Sequence, residues 1–534
     1  MKSSRRLFVF GIFFAIGLTG AQPASAQTSS AATSAPESHW KSFAVAGFEA
    51  DANIDLRDVW IPTAIEETVC WRLRRVPGLT VIPSIRIHQS RRELAEKADD
   101  PPAPWSRVIS LTGAEYWLRG VCSGTPYATE LDLELLIAGK PDGKFPTKHI
   151  GPLRLFEAID EATRWTLKEM GVTRLDEKIE KLVFDPPAKT PTALEYYARG
   201  VRAAREDNFK DALYYSLQAA DNDARHCPTL LQLAKLQLRS PSQGWRTAEM
   251  PLFQAKTVAD AREDVLTQIE FQINEGLIMM VSRSFDPARG QFEKALEMAQ
   301  ERNDPYLELA AMTCLCDFWM SAPVGNVGNE ADKTKGREQN LRKAVEWQLK
   351  CIALLRTLND YVGLAPDSNK LALIYQQLNE NDLALQAHQQ TIEYARAIGS
   401  ARTEATGYLF LGQYYRQQER WDDALAATQH CLELAPADAR PKIRITLGEV
   451  YRGMKKNREA LEQYDTAYQA LSATDDLEGQ YYCLRASAEL SKELGDRKTA
   501  IQKLTEAADI AHVKVMPEED AVRKLIEEWK NEKP

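Results

Sequence analysis

The stretch Ala405–Pro436, ATGYLFLGQYYRQQERWDDALAATQHCLELAP, decides how the chain is built. On a frame of about 34 residues opening at Ala405, it carries aromatics at Tyr408 and Tyr415, the pair Leu411-Gly412, small residues at Ala424 and Thr428, and a closing Pro436. This is the pattern of a helix, a turn and a second helix. Such a pair cannot bury its apolar face alone and must stack on copies of itself. The small residue near the start of the second helix recurs at Ala212, Ala248, Ala288, Ala344, Ala384, Ala424, Ala460 and Ala500, at spacings of 36, 40, 56, 40, 40, 36 and 40 residues. Eight repeats result. The two helices of a repeat cross closely, so its eighth, twentieth and twenty-seventh positions must be small, as in Gly200, Ala212 and Ala219, in Gly276, Ala288 and Ala295, and in Gly448, Ala460 and Ala467. Bulk there would wedge the pair apart.

On these residues the chain resembles tetratricopeptide repeat (TPR) proteins. The resemblance implies an all-α superhelical solenoid whose concave face binds a protein or peptide segment, with the second, fifth, ninth, twelfth and thirteenth positions of each first helix lining that face. In repeats five to eight these include Asn369, Gln376, Gln377, Gln413, Arg416, Gln417, Glu449, Arg452, Arg485, Glu489 and Lys492. An amide-rich face of mixed charge suits hydrogen bonding to a peptide backbone, or is simply solvated. In repeats one and three the face is apolar, with Leu194, Tyr197, Val201, Ile273, Leu277, Met280 and Val281. The basic-and-asparagine carboxylate clamp of chaperone-binding relatives is not reproduced, since Leu409, Gln413, Ile445 and Glu449 stand at the fifth and ninth positions.

The spacing of 56 marks an insertion. Ala322 to Gln339, APVGNVGNEADKTKGREQ, is polar and glycine-rich, so a surface loop over 322–340 is expected between the helices of repeat four. It lacks Gly-Lys-Ser or Gly-Lys-Thr and does not follow a strand, which argues against a phosphate cradle. Without the insertion, Cys316 and Cys351 fall at the eighth and twenty-seventh positions of that repeat, either as two buried thiols or as a disulfide. Beyond Ala511, Pro517 opens a final helix whose stripe Val522, Leu525, Ile526 and Trp529 should cap the array over 516–534. The other reading of that helix is a partner-binding tail.

At the N-terminus, residues 1–26 read as a cleavable secretory signal. Lys2, Arg5 and Arg6 precede the apolar run Leu7 to Gly20, and Ala24-Ser25-Ala26 supplies the small-x-small site. A flexible leader, 27–38, follows. The formal charge is −9, and removing those three cations with no acid leaves −12. That balance excludes a general nucleic-acid or anionic-membrane surface. Eight cysteines in 534 residues are too sparse for a disulfide scaffold.

Residues 39–172 carry a different pattern. FAVAGFEA at Phe43 to Ala50 reads as a buried strand, Asp58 to Val76 as a helix with Val59, Ile61, Ile65, Val69 and Leu73 to one side, and Leu79 to Pro83 as a short strand. Ser84 can cap a helix to about Lys97, which Asp99 to Pro104 breaks. Ala114 to Cys122 and the strictly alternating Thr129 to Ala138 are strands of a sheet with one packed and one wet face. Pro141-Asp142-Gly143 turns into a strand near Phe145 to Ile150, and Leu153 to Met170 is a helix. FAVAGFEA, GAEYWLRGVCSG at Gly113 to Gly124, the hairpin into LDLELLIAGKPDGK and the closing helix together resemble the N-terminal α/β domain of the TolB family. Such a domain also precedes TPR arrays in bacterial signalling proteins. TolB itself continues into a β-propeller and this chain does not. A charged linker, 173–191, ends in Asp185-Pro186-Pro187.

The expected fold is thus α+β, a small α/β domain followed by a TPR solenoid over 192–515. The seven histidines are scattered, with no HExxH, paired CxxC or GxSxG motif, so neither cofactor nor metal nor catalytic residue is expected. Adjacent acids such as Glu66-Glu67 and Asp422-Asp423 read as solvated faces. The expected function is a non-enzymatic periplasmic or secreted scaffold or adaptor that binds a protein or peptide partner of the cell envelope, with no stable membrane insertion after signal cleavage. The alternatives are an envelope sensor whose α/β domain binds a small ligand, and a hydrolase with an unrecognised site.

Overall fold

The computed structural model describes residues 41–52, 54–94, 104–137, 145–239, 244–324, 330–474, 476–514, 516 and 518–531. The signal sequence, the leader and the Pro141-Asp142-Gly143 turn lie outside them. The chain divides into two compact bodies, one of residues 22–92 and 104–363, the other built on residues 364–534.

The first body opens with β1 (Lys41–Ala50), α1 (Ile61–Arg74), β2 (Leu79–Ile82), α2 (Ser84–Glu93), α3 (Trp105–Leu111), β3 (Tyr116–Thr125), β4 (Ala128–Ile137), β5 (Thr147–Leu153) and α4 (Leu155–Glu169). Sheet order is β2-β1-β3-β4-β5. β1 runs parallel to β2 and β3, and β3 to β5 form an antiparallel meander. The β3–β4 hairpin turns beside Gly124, at φ +88°, where a Cβ would stand 2.0 Å from the Ala128 carbonyl oxygen, so only glycine fits. Alternation along β4 sends Leu131, Leu133 and Leu135 into one core with Phe43, Val45 and Leu118 and with the apolar sides of α1 and α4. Helix α3 was not expected, since a seven-residue helix after prolines offers no periodicity to read. The linker holds a short helix, α5 (Glu177–Val183), whose N-terminal amide on Lys178 is capped by Asp176.

Repeats one to four of this body are α6 (Pro191–Arg205) with α7 (Phe209–Asn222), α8 (Cys227–Arg239) with α9 (Gly244–Arg262), α10 (Val265–Val281) with α11 (Phe285–Arg302), and α12 (Pro305–Ser321) with α13 (Glu330–Thr357). Repeats five to eight, in the second body, are α14 (Leu364–Gln377) with α15 (Asn381–Ile398), α16 (Ala401–Gln417) with α17 (Trp421–Leu434), α18 (Arg440–Gly453) with α19 (Asn457–Leu471), and α20 (Leu477–Glu493) with α21 (Arg497–Val513). Each pair packs as an antiparallel hairpin, which is the TPR architecture. All eight alanines of the register, Ala212 to Ala500, have no exposed surface. Crossing is tightest between the eighth position and the residue sixteen further on. A Cβ on Gly276 would lie 2.4 Å from the Phe292 ring, and one on Gly448 would lie 2.9 Å from the Tyr464 ring.

The turns share one device. Asp207, Arg283, Asn379, Glu419, Lys455 and Gly495, at position fifteen of six repeats, all have positive φ. In each case the next amide donates back to position eleven, as from Asn208 to Ala203 (2.9 Å) and from Arg420 to Tyr415 (2.9 Å). This is the Schellman closure of a helix C-terminus. Only Gly495 announces it in the sequence.

One expectation is corrected. Residues 330–340 are not loop: α13 starts at Glu330 and runs 28 residues. Its polar first turns are mostly exposed, yet once the packed part of the helix is nucleated each further turn costs little. Gly336 also has a packing reason, because a Cβ there would stand 2.5 Å from Val324. Cys316 and Cys351 are buried, like the other six cysteines. They act as small fillers at the α12–α13 crossing. At the far end α22 (Glu519–Asn531) buries Val522, Ile526 and Trp529 against Leu504, Ala508 and Ala511 of α21 and so caps the second body. Among the described residues no helix is long and apolar enough to cross a membrane.

Candidate functional site

The first helices of repeats one to three, which carry the expected lining positions, pack against a segment of the chain itself, α1. Ile61, Ile65, Val69 and Leu73 join the core under the sheet, whereas Leu194, Tyr197 and Val201 of α6 enter the same cluster from the repeat side. Trp71 packs separately into the cluster of α8, α9 and α10. The apolar concave positions of repeat one are therefore filled by the chain itself. In repeat three Ile273 is buried, Leu277 and Met280 are half-buried and Val281 is 54% exposed.

Helix α1 is covered on nearly all sides, so its charges are buried too. Glu66 is 1% exposed. Its Oε1 lies 2.6 Å from His88 Nε2 and 2.6 Å from Arg205 Nη2, and its Oε2 accepts from the Gly47 amide at 3.1 Å. Burial pushes its pKa up, but His88 and Arg205 outweigh burial and hold it at about 2. Glu67 accepts from Ser84 Oγ (2.5 Å), Arg205 Nη2 (2.5 Å) and the Tyr197 hydroxyl (3.4 Å). Burial, then the Glu67 charge, raises the Tyr197 phenol well above its usual range. Treating Glu66-Glu67 as a solvated face is thus corrected: their partners lie 138 and 139 residues away, beyond any local pattern. Asp422 and Asp423 are exposed.

The C-terminal turn of α1, Arg72-Leu73-Arg74-Arg75, meets acids from several directions. Arg74 pairs with Glu270 of α10 at 3.4 Å, and Lys235 of α8 joins the same carboxylate at 2.7 Å. Burial raises the Glu270 pKa, and Lys235 and Arg74 bring it down to about 2. Arg75 reaches Asp264, the N-cap of α10, at 2.5 Å and the Leu182 carbonyl at 2.9 Å. Arg72 bonds Asp160 (2.7 Å) and the Asp185 carbonyl (3.2 Å), and Arg302 closes on the Arg74 carbonyl. Further out, Arg86 pairs with Asp360 at 2.6 Å. The sequence held one clue to this network, because Arg205 and Glu270 occupy lining positions thirteen and two of otherwise apolar repeats.

In repeats five to eight the expected lining residues separate into two groups. Asn369 and Gln376 turn inward onto buried His388, at 3.2 and 2.8 Å, and burial lowers that imidazole to about 4. They serve packing. Gln377 and Gln417 are exposed and Gln413 is half-buried. Arg416 and Glu449 pair at 3.2 Å, Tyr482 donates to Glu449 at 2.5 Å, and Arg452 meets Glu489 at 2.9 Å, with Arg485 on the same carboxylate at 3.4 Å. Basic position twelve of one repeat thus bonds acidic position nine of the next. These side chains stay between a quarter and a half exposed, so a ligand can reach them. Lys492, the next residue of the basic row, lies over the Trp529 ring at 4.6 Å.

Among the described residues, no group of three His, Cys, Asp or Glu side chains is placed to hold a metal ion. Burial pushes the thiols of Cys70, Cys122, Cys227, Cys431 and Cys483 away from ionisation, Cys70 and Cys431 to about 12. A shallow cleft beside α1 is lined by Glu67, Trp71, Arg75, Pro186, Tyr197 and His226.

No family model and no curated protein matches the chain. Several solved structures are similar to parts of it. BtubC (BKLC) from P. vanneervenii covers 46% of this chain and 92% of its own at 18% identity and a TM-score of 0.35. The apo form of the quorum sensor NprR from B. thuringiensis covers 64% and 98% at 13% identity and 0.35. A signal transduction ATPase with numerous domains and a tetratricopeptide repeat sensor, from Pyrococcus horikoshii, covers 71% and 57% at 15% identity and 0.42.

Proposed function

We propose that the chain is a non-enzymatic scaffold or adaptor, periplasmic or secreted, that holds an extended segment of an envelope protein against the concave face of repeats five to eight. One observation carries this reading: in the first body the concave-lining helices α6, α8 and α10 already receive a segment, α1, through apolar contacts flanked by charge pairs. The equivalent positions of repeats six to eight present Gln413, Arg416, Gln417, Glu449, Arg452, Arg485 and Glu489 to solvent in part. The α/β domain, read as TolB-like from its sequence, packs with repeats one to four in the first body and serves as the scaffold's N-terminal module.

The test is crosslinking and co-purification from the native host with wild type and with Arg416→Glu/Arg452→Glu. Loss of one reproducible envelope client in the variant supports the reading, and an identical set of clients in both ends it. N-terminal sequencing of the mature protein checks the export signal, with a new terminus at Gln27 expected.

The buried ion pairs between the α/β domain and repeats one to three also support a sensor reading, because a ligand that shifts α1 would be felt directly by α6 and α10. Thermal stabilisation of the full chain by an envelope metabolite, with altered hydrogen exchange in α6, would favour it.

A further inference from the structure

We propose that the concave face of repeats one to three is a helix-binding groove closed in cis by α1, and that the ion pairs around α1 form a releasable latch rather than a permanent core. The proposal rests on the reading of the concave face as a segment-binding surface. It adds what that surface takes in the first body and when it is open.

The chemistry of the contact supports release. Glu66, Arg74, Arg75, Asp264 and Arg205 are nearly or fully buried, and each charge meets a partner across the boundary between α/β domain and repeats or next to it. Undocking returns these charges to water, where they are well solvated, and bares the apolar positions Leu194, Tyr197 and Val201 that share a core with α1, a surface that a replacing helix would cover again. Docked, the fit is incomplete: the Nε atoms of Arg72, Arg74, Arg75 and Arg205 are buried without a hydrogen-bond partner. A contact that ties up so many charges and leaves buried donors unmet gains less from closure than the well-packed helix pairs beside it. Ile61, Ile65, Val69 and Leu73 remain in the core under the sheet, so α1 leaves with its whole domain and does not peel away alone.

The latch also specifies its ligand. Two adjacent carboxylates meet Arg205, and a basic run two turns later meets Glu270 and Asp264. A segment that replaces α1 should be a helix with an acidic pair, an aromatic in the place of Trp71, and two basic residues after it.

The test uses the full chain with Arg74→Glu/Arg75→Glu, which opposes like charges at Glu270 and Asp264 and leaves the groove itself unchanged. The probe is a labelled peptide of residues 61–75. Expected are faster hydrogen exchange in α1, α6 and α10 with unchanged exchange in β3, β4 and repeats five to eight, and peptide binding about tenfold or more tighter than to wild type, whose own α1 competes. In wild type, about 1 M salt should produce the same local increase in exchange. Exchange of α1 between two copies, seen as a dimer of the variant, counts for the proposal, because the groove would then hold α1 in trans. It is overturned if α6 stays as protected in the variant as in wild type, if β3 and β4 lose protection together with α6, or if the peptide binds neither chain or both alike. None of these readouts involves an envelope client, so they stand apart from the Arg416→Glu/Arg452→Glu result.

Discussion

Glycine at the eighth position is a packing requirement, and the structure supplies a matched control for that statement. Gly276 and Gly290 both lie inside helices, α10 and α11. A Cβ on Gly276 would stand 2.4 Å from Phe292 Cε1 and 2.8 Å from its Cδ1, but one on Gly290 meets nothing within 4 Å. Replacing a mid-helix glycine by alanine gains about 1 kcal/mol of helix propensity, and Gly290→Ala should show that gain. At Gly276 the same gain is set against overpacking of about 1–3 kcal/mol. The Phe292 ring has no exposed surface and cannot simply swing out. Gly276→Ala should therefore end up to about 2 kcal/mol less stable than wild type, without the gain of Gly290→Ala. Trimming the ring should rescue it: in Gly276→Ala/Phe292→Leu the two changes should couple favourably by about 1 kcal/mol. Denaturant midpoints followed by circular dichroism, with hydrogen exchange in α10 and α11 to localise the effect, would measure wild type, Gly290→Ala, Gly276→Ala, Phe292→Leu and the double variant. Gly276→Ala as stable as Gly290→Ala, or a double variant with no coupling, would refute the reasoning.

The remaining predictions concern titration, thiols, turns and the cap. His388 is held neutral by burial at about 4, below its usual 6.5, so the unfolded chain takes up the proton first and repeat five loses stability as pH falls from about 6.5 towards 4; His388→Leu should flatten that stretch of the pH–stability curve. Glu66 and Glu270, both at about 2 against a usual 4.5, stabilise fully above that usual value, and docking of α1 should loosen as pH falls from about 4.5 to 2, seen as a change in Trp71 fluorescence. Mass spectrometry of non-reduced peptides should find Cys316 and Cys351 as two thiols, and a linked pair would contradict the structure. Glu419→Gly, at φ +56°, should raise stability by up to about 1 kcal/mol by relieving the left-handed strain. Trp529→Ala, at a residue 6% exposed, should cost about 3 kcal/mol or more locally and speed exchange in α21.

Legibility followed the range of the interaction. The repeats could be read because each small position is fixed by a helix partner within about sixteen residues, and the same constraint recurs eight times. The alternation of β4 was readable for the same reason, as its period is local. What escaped was set by distant partners or by the backbone alone. The left-handed position fifteen is carried by Asp, Arg, Asn, Glu and Lys, none of which announces a positive φ as glycine does. The polar start of α13 resembled a loop because it packs little and takes its helicity from the turns that follow. Glu66-Glu67 resembled a solvated pair because nothing within α1 shows that Arg205 will arrive from the repeats.

The same contrast separates the two concave surfaces. In repeats six and seven the lining arginines find their acids on the next repeat, Arg416 on Glu449 and Arg452 on Glu489, and Arg485 of repeat eight shares Glu489 on its own helix, so the charge is settled within the array and stays partly wet. A ligand arriving there exchanges one half-exposed pair for another, a modest change either way. In repeats one and three the lining charges are covered by α1: Arg205 pairs with Glu66 and Glu67, and Glu270 meets Arg74 beside its closer partner, Lys235 of α8. Removing α1 without a substitute would leave Arg205 without its acids beside the apolar Leu194, Tyr197 and Val201, while Glu270 would keep Lys235. The first surface therefore suits clients that come and go, and the second demands an occupant of defined charge. That difference follows from where the counter-charge resides, in the neighbouring repeat or in the bound segment.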